Sequence, residues 1–270
     1  MEMGRDEAAL ENLEEAFRLD PENQAVKKTL CQAHSNLSTA FGRIKNQKQS
    51  EHHFHEAMKI IPDFGPAHLS MGICFTELGR YKEALAKIKE ALKLDKNLTV
   101  QAHYRFGEVY TKLKDTRKAI KHYKEAISVD PSAAMPNLRL GMLYYKLKKY
   151  KDAVEPLRKS IMQSPKYAAE GYFRLGISLM KLKHYKPAEE PLRKAVELSP
   201  DNELVNDALA ENLFQLSTFL NEDAKPGEKI DLLREVTFYN PEHVKAHEQL
   251  GYAYDETLNG TKAISHILIS

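Results

Sequence analysis

Tryptophan is missing from the 270 residues, cysteine occurs twice, and glycine and proline occur twelve times each. No apolar run approaches the ~18 residues that a membrane-spanning helix needs, so no membrane insertion is expected. Two cysteines, Cys31 and Cys74, cannot build a disulfide framework. A reducing compartment such as the cytoplasm fits that shortage, while a periplasmic protein with its leader removed stays open. The first twenty residues carry Glu2, Asp6, Glu7, Glu11, Glu14 and Glu15 and lack an apolar core segment, which a signal peptide requires. The glycines stand singly, so no phosphate-cradling loop is present. The acidic residues show no paired arrangement that would tune one of them as a catalytic acid. We therefore assign no catalytic residue, no cofactor and no metal, and expect a protein that is not an enzyme.

What is present is enough apolar material for a core, 42% of the chain, which excludes global disorder. It is arranged periodically. Gly72, Gly107, Gly141, Gly176 and Gly251 each follow a large apolar residue, and the first four are 35, 34 and 35 residues apart. Twelve residues beyond each stands an alanine: Ala84, Ala119, Ala153, Ala188 and Ala263. Seven further on comes Ala91, Ala126, Ser160, Ala195 or Ser270, and prolines such as Pro131, Pro165 and Pro200 close the units. Small residues let two helices approach to about 8–10 Å. Apolar residues three, four and seven apart make one buried face, and proline stops a helix interior. The unit is a helix hairpin whose turn is a stretch such as Leu78-Gly79-Arg80, Leu113-Lys114-Asp115 or Leu147-Lys148-Lys149.

These residues resemble the tetratricopeptide repeat family over essentially the whole chain. The tryptophan often placed four residues before the glycine is replaced here by His68, His103, Asn137, Tyr172 and His247. The resemblance implies an all-α, right-handed superhelical solenoid that serves as a scaffold for protein–protein interaction. Residues 1–23 read as a partial repeat, a lone helix. Residues 24–64 form a long repeat; 65–99, 100–133, 134–168 and 169–202 are regular; 203–243 is long, with a loop over 221–228; and 244–270 is a truncated terminal repeat. The stretch near Arg43 to Gln49 lacks glycine and proline and could stay helical. The apolar end over 262–270 suggests either a fragment or an end covered by a partner.

In the resembled family the first helix of each pair lines the concave side. The groove is then expected to present Tyr104, Leu138 and Phe173, with Arg105, Arg139 and Arg174 beside them. Met142 and Ile177, Tyr145 and Met180, and finally Lys112, Lys146 and Lys181 complete it. Glu108 is placed to pair with Arg105 or Lys112. Charge follows the same region. Residues 1–100 hold 14 basic and 15 acidic side chains, residues 101–200 hold 21 and 10, and residues 201–270 hold 5 and 13, giving −1, +11 and −8. A cationic ladder on an apolar floor suits a partner protein or peptide carrying acidic and apolar residues. The bipolar charge also allows self-assembly into a homo-oligomer. An RNA-binding helical repeat is a third reading, which the Gly/Ala/Pro signature fits less well, so nucleic acid is not the expected partner.

His52, His53 and His55 form the densest chemical cluster; His52 and His55 share a helix face but have no evident third ligand. The slot holding His34, His68, His103 and His247 is an inter-helix packing position, whose successive members stand too far apart for one ion. Cys31 and Cys74 read as inert core thiols. Pro156 and Pro191, inside second helices, are expected to bend them.

Overall fold

The computed structural model describes residues 2–164, 168–219 and 226–256. Among these it contains fourteen α-helices, one 3-10 turn (Lys96–Leu98) and no strand. The chain divides into two compact units, residues 1–136 and 137–270.

The first unit starts with α1 (Glu2–Leu19), which packs on α2. Three hairpins follow: α2 (Gln24–Arg43) with α3 (Gln47–Ile60), α4 (Gly65–Glu77) with α5 (Tyr81–Leu94), and α6 (Thr99–Lys112) with α7 (Thr116–Val129). Each hairpin also packs on the next, α2 on α4 and α5 on α6. The second unit holds α8 (Ala134–Lys146), whose first turn contains the division, and α9 (Tyr150–Gln163). Then come α10 (Ala168–Lys181) with α11 (Tyr185–Leu198), α12 (Glu203–Thr218) with α13 (Pro226–Tyr239), and α14 (Val244–Glu256). No helix among the described residues is long and apolar enough to cross a membrane.

The periodic small residues lie where the helices touch. Ala84, Ala91, Ala119, Ala126, Ala153, Ser160 and Ala188 are fully buried. The remaining space is filled by Ile88 and Tyr123 in the first unit and by Leu157, Leu192, Leu209 and Leu213 in the second. Each such aliphatic side chain contributes about 1.5–3 kcal/mol of burial. Asn23, Asn46, Asp115 and Asn202 cap the starts of α2, α3, α7 and α12 by accepting from backbone N–H groups of the first turn.

Every first helix from α2 to α10 ends in the same turn. Lys45, Gly79, Lys114, Lys148 and Lys183 have positive φ, between 58° and 77°. In each case the next residue donates its N–H five residues back: Asn46 to Phe41, Arg80 to Phe75, Asp115 to Tyr110, Lys149 to Tyr144 and His184 to Leu179, at 2.8–2.9 Å. This 6→1 bond satisfies a carbonyl the helix would leave open.

The repeat expected to be long over 24–64 has its extra residues in its first helix, whereas in the one expected over 203–243 the first helix is only slightly longer and residues 219–225 separate it from α13. α2 has 20 residues and α12 has 16, against 13 or 14 for α4, α6, α8 and α10. The stretch from Arg43 to Gln49 does not stay helical, because Lys45 takes the left-handed conformation and Asn46 caps a new helix. Of the loop expected over 221–228, residues 226–228 form the first turn of α13. Residues 221–225 lie outside the described residues, as does the terminal segment 262–270. Pro156 and Pro191 sit inside α9 and α11, and each helix runs through its proline without a break.

Candidate functional site

Arg174, on α10, is an expected groove residue with both aromatic and carboxylate partners. Its guanidinium lies 4.7 Å from the ring centre of Tyr145, on α8, and 5.6 Å from that of Phe173. Its Nε donates to Glu170 Oε1 at 2.7 Å, one helical turn back. Burial by itself would lower the pKa of this group, but the Glu170 pairing and the Tyr145 contact raise it overall. A guanidinium stacked on a phenol ring and paired with a carboxylate is a pre-oriented fork with part of its charge already answered.

The other expected groove residues divide between the two units. Leu138, Arg139, Met142, Tyr145, Lys146, Phe173, Arg174, Ile177, Met180 and Lys181 belong to the second unit, and Tyr104, Arg105 and Lys112 to the first. Lys112, Lys146 and Lys181 are exposed, as expected of the last position on the helix face. Arg139, Met142, Tyr145, Phe173, Ile177 and Met180 are half-buried. Tyr104 and Leu138, expected on the floor, are buried at 8% and 4% exposure and belong to the core; Phe173 alone of that position stays partly open. Arg105 pairs with Glu108 at 2.6 Å, as the spacing predicted, and lies 4.9 Å from the Tyr104 ring centre. The Tyr104 hydroxyl donates to the same Glu108 at 2.7 Å. Glu170 was not foreseen, although its spacing of four from Arg174 is a standard helical pairing distance.

Three of the packing-slot histidines, His34, His68 and His103, find partners across their own hairpins. His34 Nδ1 is 3.1 Å from His53 Nδ1, and His103 Nδ1 is 3.0 Å from His122 Nδ1. His68 Nδ1 lies 3.1 Å from Glu90 Oε2. Sequence reasoning compared these histidines with those of neighbouring repeats and missed the partner nineteen residues along. The signal was available, since both histidine pairs share that spacing. Burial holds His34 down to about 4, with His53 adding repulsion, and burial also lowers His53. Burial likewise lowers His122, against an opposing pull from Glu125. Within the dense cluster only His53 turns inward, while His52 and His55 are exposed. Cys31 and Cys74 are buried free thiols, and burial pushes Cys31 up to about 11.

Tetratricopeptide repeat models match residues 63–132, 104–168 and 169–202, together a little over half of the chain. No curated protein matches the sequence. Among solved structures, "YrrB: a TPR protein with an unusual peptide-binding site" is 22% identical with TM-score 0.50, over 67% of this chain and 89% of that one. A crystal form of MamA AMB-1 is 22% identical with TM-score 0.52, over 66% and 90%. The APC/C hetero-tetramer Cut9-Hcn1 is 18% identical with TM-score 0.53, over 92% of this chain and 52% of that one. Identities this low carry the fold alone, and the fold agrees with the repeat models: this chain belongs to the tetratricopeptide repeat family.

Proposed function

We propose that the protein is a non-catalytic interaction scaffold, and that its first helices bind a partner segment in which acidic residues alternate with apolar ones. The observation that carries this reading is the Arg174 environment. The side chain is held over Tyr145 of the neighbouring first helix, with Met180 and Ile177 half-open on its own helix and Lys181 exposed at the end. Arginine so placed suits a carboxylate better than lysine does, because its two parallel N–H groups match two carboxylate oxygens. Apolar side chains of the partner would fill the spaces between the half-buried Met142, Phe173 and Ile177. A protein of similar fold supports the general mode, since YrrB is a TPR protein with a peptide-binding site.

The internal pairs Arg105–Glu108 and Arg174–Glu170 refine the proposal. An incoming carboxylate competes with a resident one, so specificity comes from the apolar anchors and the exposed lysines together. Selection of the full chain against a random peptide library tests this. Enriched sequences should combine Asp or Glu with Leu, Ile or Phe. Enrichment of basic sequences, or of acidic ones without apolar residues, would contradict it.

A further inference from the structure

We propose that the α6/α7 hairpin holds a divalent transition-metal ion, zinc by its donor set, between His103, His122 and Glu125. His103 comes from α6, and His122 and Glu125 stand one turn apart on α7. The two Nδ1 atoms are 3.0 Å apart, and each is 2.9 Å from Glu125 Oε2. Among the described residues this is the trio of histidine, cysteine and acidic side chains whose donor atoms gather closely enough for one ion. Zinc at about 2.0–2.1 Å from imidazole nitrogen and carboxylate oxygen needs ligand atoms roughly 3.3 Å apart in a tetrahedron. Opening the triangle by a few tenths of an ångström, within rotamer reach, achieves that.

Three features favour a cation there. First, Glu125 Oε2 is buried and accepts no well-directed hydrogen bond, although two ring nitrogens lie against it. An acceptor left in that state has lost water without gaining a directed donor, and a bound cation would supply the missing partner. Second, the rings are already oriented. Tyr110 stacks on His122 at 5.4 Å with its plane 3° away, and Phe106 lies 5.0 Å from the same ring. Third, the protein contains its own comparison. Thirty-five residues earlier the equivalent positions are His68, Lys87 and Glu90. There the Lys87 ammonium lies 3.1 Å from Glu90 Oε2 and 3.5 Å from His68 Nδ1, so the site carries a built-in cation. Replacing that lysine by His122 keeps the donors and removes the charge, and a metal ion restores it. The histidines are about one-fifth exposed, which leaves a path for the ion and a fourth position for water.

The first hairpin repeats the histidine pair, His34 with His53, but Glu56 Oε1 is held by Lys59 at 2.6 Å. The proposal does not extend to it.

The test is titration of the full chain with Zn²⁺ by calorimetry and with Co²⁺ by visible absorption, at neutral pH. His122→Gln should remove one equivalent of bound metal and the Co²⁺ ligand-field bands of a four-coordinate site. Glu125→Gln, which replaces a ligand carboxylate by a neutral amide, should weaken binding by more than the roughly tenfold that loss of even an outer-shell partner costs. Lys87→His, which supplies the missing imidazole in α5, should add one equivalent, and this gain does not depend on a damaged variant folding. Binding unchanged in His122→Gln, with no gain in Lys87→His, would show that only a shared proton joins the three side chains and would overturn the proposal.

Discussion

A Cβ atom built on Gly72 would stand 2.6 Å from Cγ1 of Ile88, sixteen residues later on the other helix of the hairpin. The same offset recurs between Gly141 and Leu157, where the distance is 2.7 Å. The close approach is what the periodic glycine provides. Ile88 is fully buried and β-branched, so its first methylene cannot swing aside cheaply. Gly72→Ala should therefore destabilise the first unit by about 1–3 kcal/mol, the usual cost of overpacking, despite the better helix propensity of alanine. Ile88→Ala alone should cost about 2–5 kcal/mol. The double variant should cost less than the two combined, because the added methyl enters the space Ile88 leaves. Urea unfolding of the four proteins measures the coupling; simple additivity would mean the two residues do not meet.

The repeated hairpin turn gives a prediction of opposite sign. Lys114, Lys148 and Lys183 occupy a left-handed position that glycine fills at Gly79. A side chain there costs roughly 1 kcal/mol or more, partly offset by the greater freedom of glycine in the unfolded chain. Lys148→Gly should raise the melting temperature slightly, while Gly79→Ala should lower it. Opposite shifts in a paired thermal scan would show that the turn is not what limits these positions.

Acid should weaken the first unit through His34. Its folded pKa of about 4 lies below the ordinary imidazole value near 6.5, so the unfolded chain binds the proton more readily. Above about pH 6.5 both states are neutral and stability is unaffected. Between there and about pH 4 stability falls as pH falls, by at most ~1.4 kcal/mol per pH unit for this proton. His53 and His52 add repulsion and Glu56 opposes it. Unfolding curves across this range should show a shallower dependence for His34→Gln than for the native protein. An equal slope in both would remove His34 from the account.

Cys31 should react slowly. Its thiol is fully buried, donates to the Ala57 carbonyl at 3.4 Å and is held near 11, so very little thiolate exists at neutral pH. Labelling by a thiol reagent should follow the opening of the α2/α3 hairpin and accelerate with denaturant. Immediate labelling of both cysteines in the native protein would contradict this burial.

The sequence carried the hairpins because one residue type, a small one, is demanded at each helix contact, and that demand repeats with the unit. Ala84, Ala119, Ala153 and Ala188 were legible for that reason and are all fully buried. The turns were legible as polar stretches, but their left-handed residue was hidden, since lysine stands where glycine usually marks the conformation. The expected groove face came from counting along each helix. Counting placed Lys112, Lys146 and Lys181 outside, yet it could not distinguish Tyr104 and Leu138, which turn inward, from Phe173 at the same position. The histidine pairs went unread because each joins two helices of one hairpin, and only the turn geometry brings residues nineteen apart face to face.

The proposed interaction surface is tested most directly by measuring the affinity of a selected acidic–apolar peptide for the native chain and for the Arg139→Glu/Arg174→Glu double variant, with circular dichroism confirming that the variant stays folded. Losing a charge-assisted hydrogen bond worth about 1.5–3 kcal/mol weakens binding by roughly tenfold to a hundredfold. The account predicts at least the lower figure, with binding that also weakens as salt is raised. Equal affinity of the two folded proteins for the peptide would contradict it.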